Sequence, residues 1–256
     1  MRVRHSIGLG ICALGLSALP ALAQTDVLPG YDLLESQTGT QFMGEPFVGV
    51  PIGSYNFGGS IGVQNTGPTD TIVQRLQDSS VSSTPNTASP ITIQMDDLQL
   101  ESATPYSFGG GPVGYYYITL QSQDNTGPIS TGSMTISFGS PAGGTFTSAL
   151  DVFFDVHYAA LNGPIVYSSD LTLSNSGDEW GRVPPPDAVL ITGANYLLNG
   201  IDDSEDFFVN PPLIESHPGG VGTHIVQEAQ VPEPATMGLA AVAGIFALSR
   251  RRRSAS

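Results

Sequence analysis

Lysine is missing from the 256-residue chain, and its eight basic residues are all arginines. Arg2, Arg4, Arg250, Arg251, Arg252 and Arg253 lie at the two ends, which leaves Arg75 and Arg182 to face all but one of the 23 acidic residues in between. A surface this short of cations repels phosphate backbones, so nucleic acid is excluded as a partner of the body. Cysteine is nearly absent as well. Cys12 is the only one, so no disulfide framework staples the fold, and stability must come from packing or from a bound metal. Long apolar runs are confined to residues 7–19 and 235–248. Between them no window of ten or more residues carries a convincing helical period, although residues 71–77 could form a turn or two of helix.

What is present is strand chemistry. Ile91, Ile93 and Met95 alternate with polar residues, and Leu98 and Leu100 resume on the opposite parity, so Asp96-Asp97 marks a bulge where the strand changes faces. Met134, Ile136 and Phe138 alternate in the same way. So do Phe154, Val156 and Tyr158, which puts Asp155 and His157 on the polar face, with His157 read as an exposed polar residue. Residues 115–120, 165–167, 171–173, 188–192, 206–209 and 224–227 are further strands. Gly109-Gly110-Gly111-Pro112, Asn125-Thr126-Gly127-Pro128 and Asn162-Gly163-Pro164 supply the turns between them. Residues 79–90, rich in Ser, Thr and Pro, read as a long exposed loop. Many short strands at this spacing predict an all-β body over residues 24–230, an antiparallel β-sandwich or jelly roll.

The two ends read as addresses. Arg2, Arg4 and His5, then the apolar residues 7–19, then Ala21-Leu22-Ala23 make an N-terminal signal peptide over residues 1–23, with cleavage after Ala23 so that Gln24 leads the body. At the other end, residues 231–256 hold Val231-Pro232-Glu233-Pro234, a second apolar run and Arg250, Arg251, Arg252 and Arg253. The prolines break the chain before the run starts. As a single helix the 235–248 run would reach only ~21 Å at the usual rise per residue, against a bilayer core about 30 Å thick. That length suits a transient inner-membrane anchor held for processing, with the arginines keeping its end cytoplasmic and the body outside.

Val231-Pro232-Glu233-Pro234, a short apolar helix and a terminal arginine cluster, in that order, resemble the PEP-CTERM sorting domain of exported proteins in exopolysaccharide-producing Gram-negative bacteria. The resemblance implies recognition by an exosortase, an integral membrane processing enzyme thought to cut near Pro-Glu-Pro and to release or re-anchor its substrate at the surface. It covers about a tenth of the chain. The body receives a destination from it and no activity.

Candidate chemistry in the body is sparse. Gly58-Gly59-Ser60-Ile61-Gly62 matches the nucleophile-elbow pattern, but Val63-Gln64-Asn65-Thr66-Gly67-Pro68 cannot supply the helix that would expose the serine, so a glycine-rich hairpin turn is the better account. Glu215, His217 and His224 fit no zinc spacing, and surface histidines around a loose Pro218-Gly219-Gly220 loop are the simpler reading. Asp202, Asp203, Glu205 and Asp206 form the densest acidic run and are the candidate calcium ligands, with Asp96 and Asp97 a weaker second pair. Trp180, read in a loop after Asp178-Glu179, is the candidate sugar-stacking platform, since a flat apolar ring with a polar edge suits carbohydrates. No catalytic residue is assigned.

These readings converge on a non-enzymatic cell-surface or exopolysaccharide-matrix protein, structural or adhesive, sorted through its C-terminal segment. The expected partners are an exosortase-type enzyme and exopolysaccharide, with calcium as the one candidate cofactor. A carbohydrate-binding module is the alternative, and a secreted hydrolase a more distant one.

Overall fold

The computed structural model describes residues 26–184, 186–195, 207–208, 212–217 and 220–231. Thirteen of the twenty strands among the described residues, those longer than two residues, and one short α-helix organise the body: β1 (Gly30–Ser36), β2 (Glu45–Gly49), β3 (Gly53–Asn56), β4 (Val63–Gly67), β5 (Thr71–Arg75), β6 (Ile91–Leu98), β7 (Leu100–Ser102), β8 (Tyr116–Leu120), α1 (Gln121–Asp124), β9 (Ser130–Ser140), β10 (Gly143–Tyr158), β11 (Ile165–Gly181), β12 (Pro212–His217) and β13 (Gly220–Glu228). Every pairing among them is antiparallel, as the alternating patterns predicted.

The hydrogen-bonded path returns on itself. It runs β1–β5–β6–β9–β10–β11–β12–β13 and back to β1, where Leu34, Glu35 and Ser36 pair with Glu228, Gln227 and Val226. Closure depends on the two longest strands. Along one edge β10 changes neighbour, pairing with β9 through residues 143–151 and with β8 through residues 154–158, while β11 follows it throughout on the other edge. Beyond β8, strands β7 and β2 extend the sheet as a flap. The main core fills the space this path encloses, with Met95, Leu98, Leu100, Ile118, Ile136, Phe154, Val156 and Leu173 all buried.

One expectation changes here for a physical reason. Strands β1 and β5 are covered on both faces: Leu34 and Val73 point into the main core, while Leu33 and Ile72 join a second cluster with Phe57, Val189, Ile191, Ala194 and Ala229. Doubly buried strands lose the apolar–polar alternation. That is why residues 71–77 suggested a helical turn, although 71–75 form β5. The β3–β4 hairpin provides part of the second cover, and Gly58, Gly59 and Gly62 take positive φ in its turn. Ser60 is therefore the tip of a hairpin, as its setting predicted. Residues 188–192 form no strand; Ala188 makes an isolated bridge with Gln230. The Asp96 bulge is present: Met95 pairs with Val73 and Asp97 with Ile72, leaving Asp96 as the extra residue.

One of the two interior arginines is consumed by the fold. Arg75, 1% exposed, is ion-paired with the buried Asp32 and also donates from Nε to the Leu28 carbonyl (3.4 Å). Burial pushes the Asp32 carboxyl up, to about 6, against the pull of the Arg75 guanidinium. The adjoining interior cavity, about 40 Å³ and lined mainly by Leu34, Val73, Met95, Phe146 and Leu173, has room for water and not for an organic ligand.

Candidate functional site

The described residues hold two buried clusters in which a hydroxyl, a histidine and a carboxylate meet. The first gathers Ser36 from β1, Asp70 and Thr71 at the start of β5, and His224 from β13. Asp70 accepts from the Ser36 amide (2.7 Å), the Ser36 hydroxyl (3.0 Å) and the Thr71 hydroxyl (2.7 Å). Ser36 Oγ lies 2.9 Å from His224 Nε2. The Ser36 proton already goes to the carboxylate, so Nε2 must carry its own proton and donate to Oγ. Nδ1 is left as a bare lone pair, buried and without a partner among the described residues.

This order of bonds decides the chemistry. In a hydrolytic triad the carboxylate orients the histidine through Nδ1, and unprotonated Nε2 takes the serine proton. Here Asp70 sits on the serine and Nε2 is a donor. The trio joins three strands and activates no nucleophile in this arrangement. Its electrostatics follow from burial: His224, completely buried, is pushed down to about 4, and Asp70 is pushed up to about 6 by burial, the donors from Ser36 and Thr71 opposing and Glu35 adding to the rise. Space is tight, since a Cβ at Gly49 would meet Asp70 Oδ2 at 1.7 Å.

The second cluster lies on the polar face of β10. His157 Nδ1 donates to the Gly163 carbonyl (2.9 Å), while Nε2 faces the Thr119 hydroxyl (2.8 Å) and the Asp124 carboxylate (3.1 Å). Asp155 accepts from Thr126 and Ser168. Alternation placed both residues on the right face. The exposure expected for His157 is wrong: it is 2% exposed, because α1 and the turn after it fold over this part of β10.

The remaining candidates separate clearly. Trp180 is in β11 and is 3% exposed, with its ring edge-on to Phe138 at 5.1 Å and Nε1 donating to the Ser137 carbonyl (3.2 Å). The loop expectation is corrected, and a ring packed this way offers no face to a sugar. Asp96 accepts from Gln94 and Tyr55, and Asp97 from Gln99 and Gln123. Burial pushes both carboxyls up, Asp97 to about 6. Among the described residues no group of three metal-ligating side chains comes together. His224 is buried rather than on the surface, and 212–217 pair antiparallel with 220–225. Asp202, Asp203, Glu205 and Asp206 lie outside the described residues, as do Ala21, Ala23 and Gln24.

Of the sorting candidates, Val231 is described, and Pro232, Glu233, Pro234 and Arg250 to Arg253 lie outside, together with the expected C-terminal helix. The folded body reaches the edge of that segment without a spacer. Ala229 donates to the Leu33 carbonyl (2.8 Å), Val189 to the Ala229 carbonyl (2.7 Å), and Val231 to the Asp187 carbonyl (2.7 Å). Residues 230–253 match the family description "PEP-CTERM protein-sorting motif". The chain carries a PEP-CTERM sorting segment. It is thereby an exported protein whose C-terminus is the substrate signal for an exosortase-type processing enzyme. No curated protein and no solved structure matches the chain.

Nothing local in the sequence marks the first cluster. Ser36 and His224 are 188 positions apart, and only the closure of the strand path brings them together.

Proposed function

We propose that the body is a non-enzymatic structural or adhesive module of the cell surface or exopolysaccharide matrix, delivered and processed through the PEP-CTERM segment. The observation that carries this reading is the junction itself: the sorting motif begins at residue 230, inside a hydrogen-bonded stretch that, among the described residues, belongs to the folded body. The polar clusters support it, since their groups are spent on one another and hold strands together. An exopolysaccharide is the partner proposed, with calcium at Asp202, Asp203, Glu205 and Asp206 as its candidate bridge, because clustered carboxylates attract a divalent cation that can also be shared with acidic sugars.

The test follows the full chain in an exopolysaccharide-producing host. After tail processing the protein is expected to stay with the surface or matrix fraction and to be released by chelator. Protein found freely in the medium, with or without calcium, would overturn the matrix role. Removing residues 232–256 is expected to abolish surface delivery.

A further inference from the structure

The outer face of β9 and β10 stands apart from the rest of a strongly acidic body. Residues 125–150 carry no charged side chain. Within them alternation sends Met134, Ile136, Phe146 and Leu150 into the core, so the residues between point outward. Across the ladder Ser133 pairs with Ala149, Thr135 with Thr147 and Ser137 with Thr145. The same face continues sideways, where Thr92 of β6 pairs with Ser133 and Ser176 of β11 with Thr147. Ser133, Thr145 and Thr147 are exposed, and Thr135 and Ser137 are half-buried. The first charge met along β10 is Asp151, which accepts from the Thr172 hydroxyl (2.9 Å).

Each hydroxyl can donate one hydrogen bond and accept two. In the buried clusters that capacity is spent on a carboxylate or an imidazole. On this face the hydroxyls of Ser133, Thr135, Thr145 and Thr147 have no side-chain partner among the described residues. At one end Ser137 meets the Thr87 hydroxyl (2.8 Å) beside a cleft of about 390 Å³, lined also by Pro85, Asn86, Gly139 and Gly144. That volume is of the order of small-ligand sites. The array repeats about every 6.7 Å along a strand and about every 4.8 Å across strands, so a polymer with hydroxyls along its whole length can meet it in several registers.

The chemistry of the face separates the partners it could take. Protein interfaces concentrate aromatic, Met and Arg side chains and are poor in Ser and Ala, the reverse of what β9 and β10 expose here. An acidic polymer needs cations, yet Arg75 is buried against Asp32 and Arg182 donates to the Pro141 and Asp26 carbonyls. The surrounding acidic surface repels such a polymer further. An uncharged, hydroxyl-rich polymer needs no cation and loses nothing to that repulsion. We propose that the outer face of β9 and β10, with the cleft at its end, binds an uncharged polysaccharide. This inference rests on the matrix reading and deepens it by naming the class of glycan and the surface that holds it.

The test is native electrophoresis of the full chain, in a polyoxyethylene detergent, through gels cast with hydroxyethylcellulose, dextran or alginate. The net charge of −15 drives migration, and Thr135→Val with Thr147→Val removes two hydroxyls while keeping both the charge and the strand preference. The wild type is expected to be retarded by at least one of the two uncharged glycans, with or without chelator, and not by alginate. The double valine variant should bind about tenfold more weakly, whereas Thr135→Ser with Thr147→Ser, which keeps both hydroxyls, should bind as the wild type does. No retardation by either uncharged glycan overturns the proposal, as does retardation by alginate as strong as theirs, or equal retardation of the valine variant. A wild type that runs as a dimer without glycan, against a monomeric valine variant, would make the face an interface between copies. Protein that stays in the matrix of its host yet shows none of this retardation removes the face and leaves the matrix reading standing; protein free in the medium removes that reading itself.

Discussion

Two buried histidines, His157 and His224, occupy matching surroundings and are treated differently by the fold. Around His157 every polar atom has a partner: Nδ1 has the Gly163 carbonyl, Nε2 has Thr119 and Asp124, and the helical turn that supplies Asp124 also covers the ring. Around His224 the accounting is incomplete. Asp70 collects three donors, Ser36 serves both the carboxylate and the imidazole, and Nδ1 has nothing among the described residues. One cluster is closed by a local segment, within a few residues of β8 and β10. The other exists only where the first and last strands of the path meet. A cluster assembled from distant strands leaves one lone pair unmet among the described residues, a cost carried by the groups that clamp those strands together.

Removing the shared acceptor should separate the two most strongly. Asp70→Ala leaves the Ser36 amide and two hydroxyls without their partner in a buried site, and each orphaned donor costs about 1–3 kcal/mol. A loss of about 3 kcal/mol or more is expected in urea unfolding, and a loss below about 1 kcal/mol would show that water replaces the carboxylate.

Acid comes next. His224 binds its proton at about 4 in the folded protein against 6.5 for an ordinary imidazole. The unfolded chain therefore holds the extra proton between those values, and stability falls as pH drops from about 6.5 towards 4, by up to about 3 kcal/mol. Asp32, Asp70 and Asp97, each raised to about 6, act with the opposite sign, adding stability as pH falls from about 6 to 4. Their contribution is common to wild type and His224→Leu, so the difference between the two isolates the histidine. The wild type should lose ground to the variant steadily across that window, and a pH-independent difference would remove His224 from the account.

Gly49→Ala is expected to cost about 1–3 kcal/mol by crowding Asp70, the usual penalty of overpacking; an unchanged unfolding midpoint would mean that β2 moves aside. The smallest effect belongs to the satisfied cluster. Asp124 has a side chain 30% exposed beside His157, and solvent-screened pairs contribute little, so Asp124→Asn should shift stability by less than about 1 kcal/mol.

Legibility in the sequence follows the same division. Strands buried on one face declared themselves: Met134, Ile136 and Phe138, or Phe154, Val156 and Tyr158, alternate because one side meets the core and the other meets solvent or α1. The Asp96 bulge was readable because a parity switch has few other causes. Strand β5 was obscure because both its faces are apolar, and Ile72-Val73 has no period to detect. Trp180 misled for a related reason: its neighbours Asp178 and Glu179 look like a loop, yet they edge a long strand whose next residue turns inward. The C-terminal sorting motif was legible because its parts are contiguous. The Ser36–Asp70–His224 clamp was not, because it is a property of topology and of no segment.

The closing of the path by β13 against β1 also sets a schedule. The body cannot complete its ring until its final strand has crossed the membrane, and the pairs that close it span nearly the whole body, the slowest kind of contact to form. Export and closure of the ring are thereby ordered by the position of one strand.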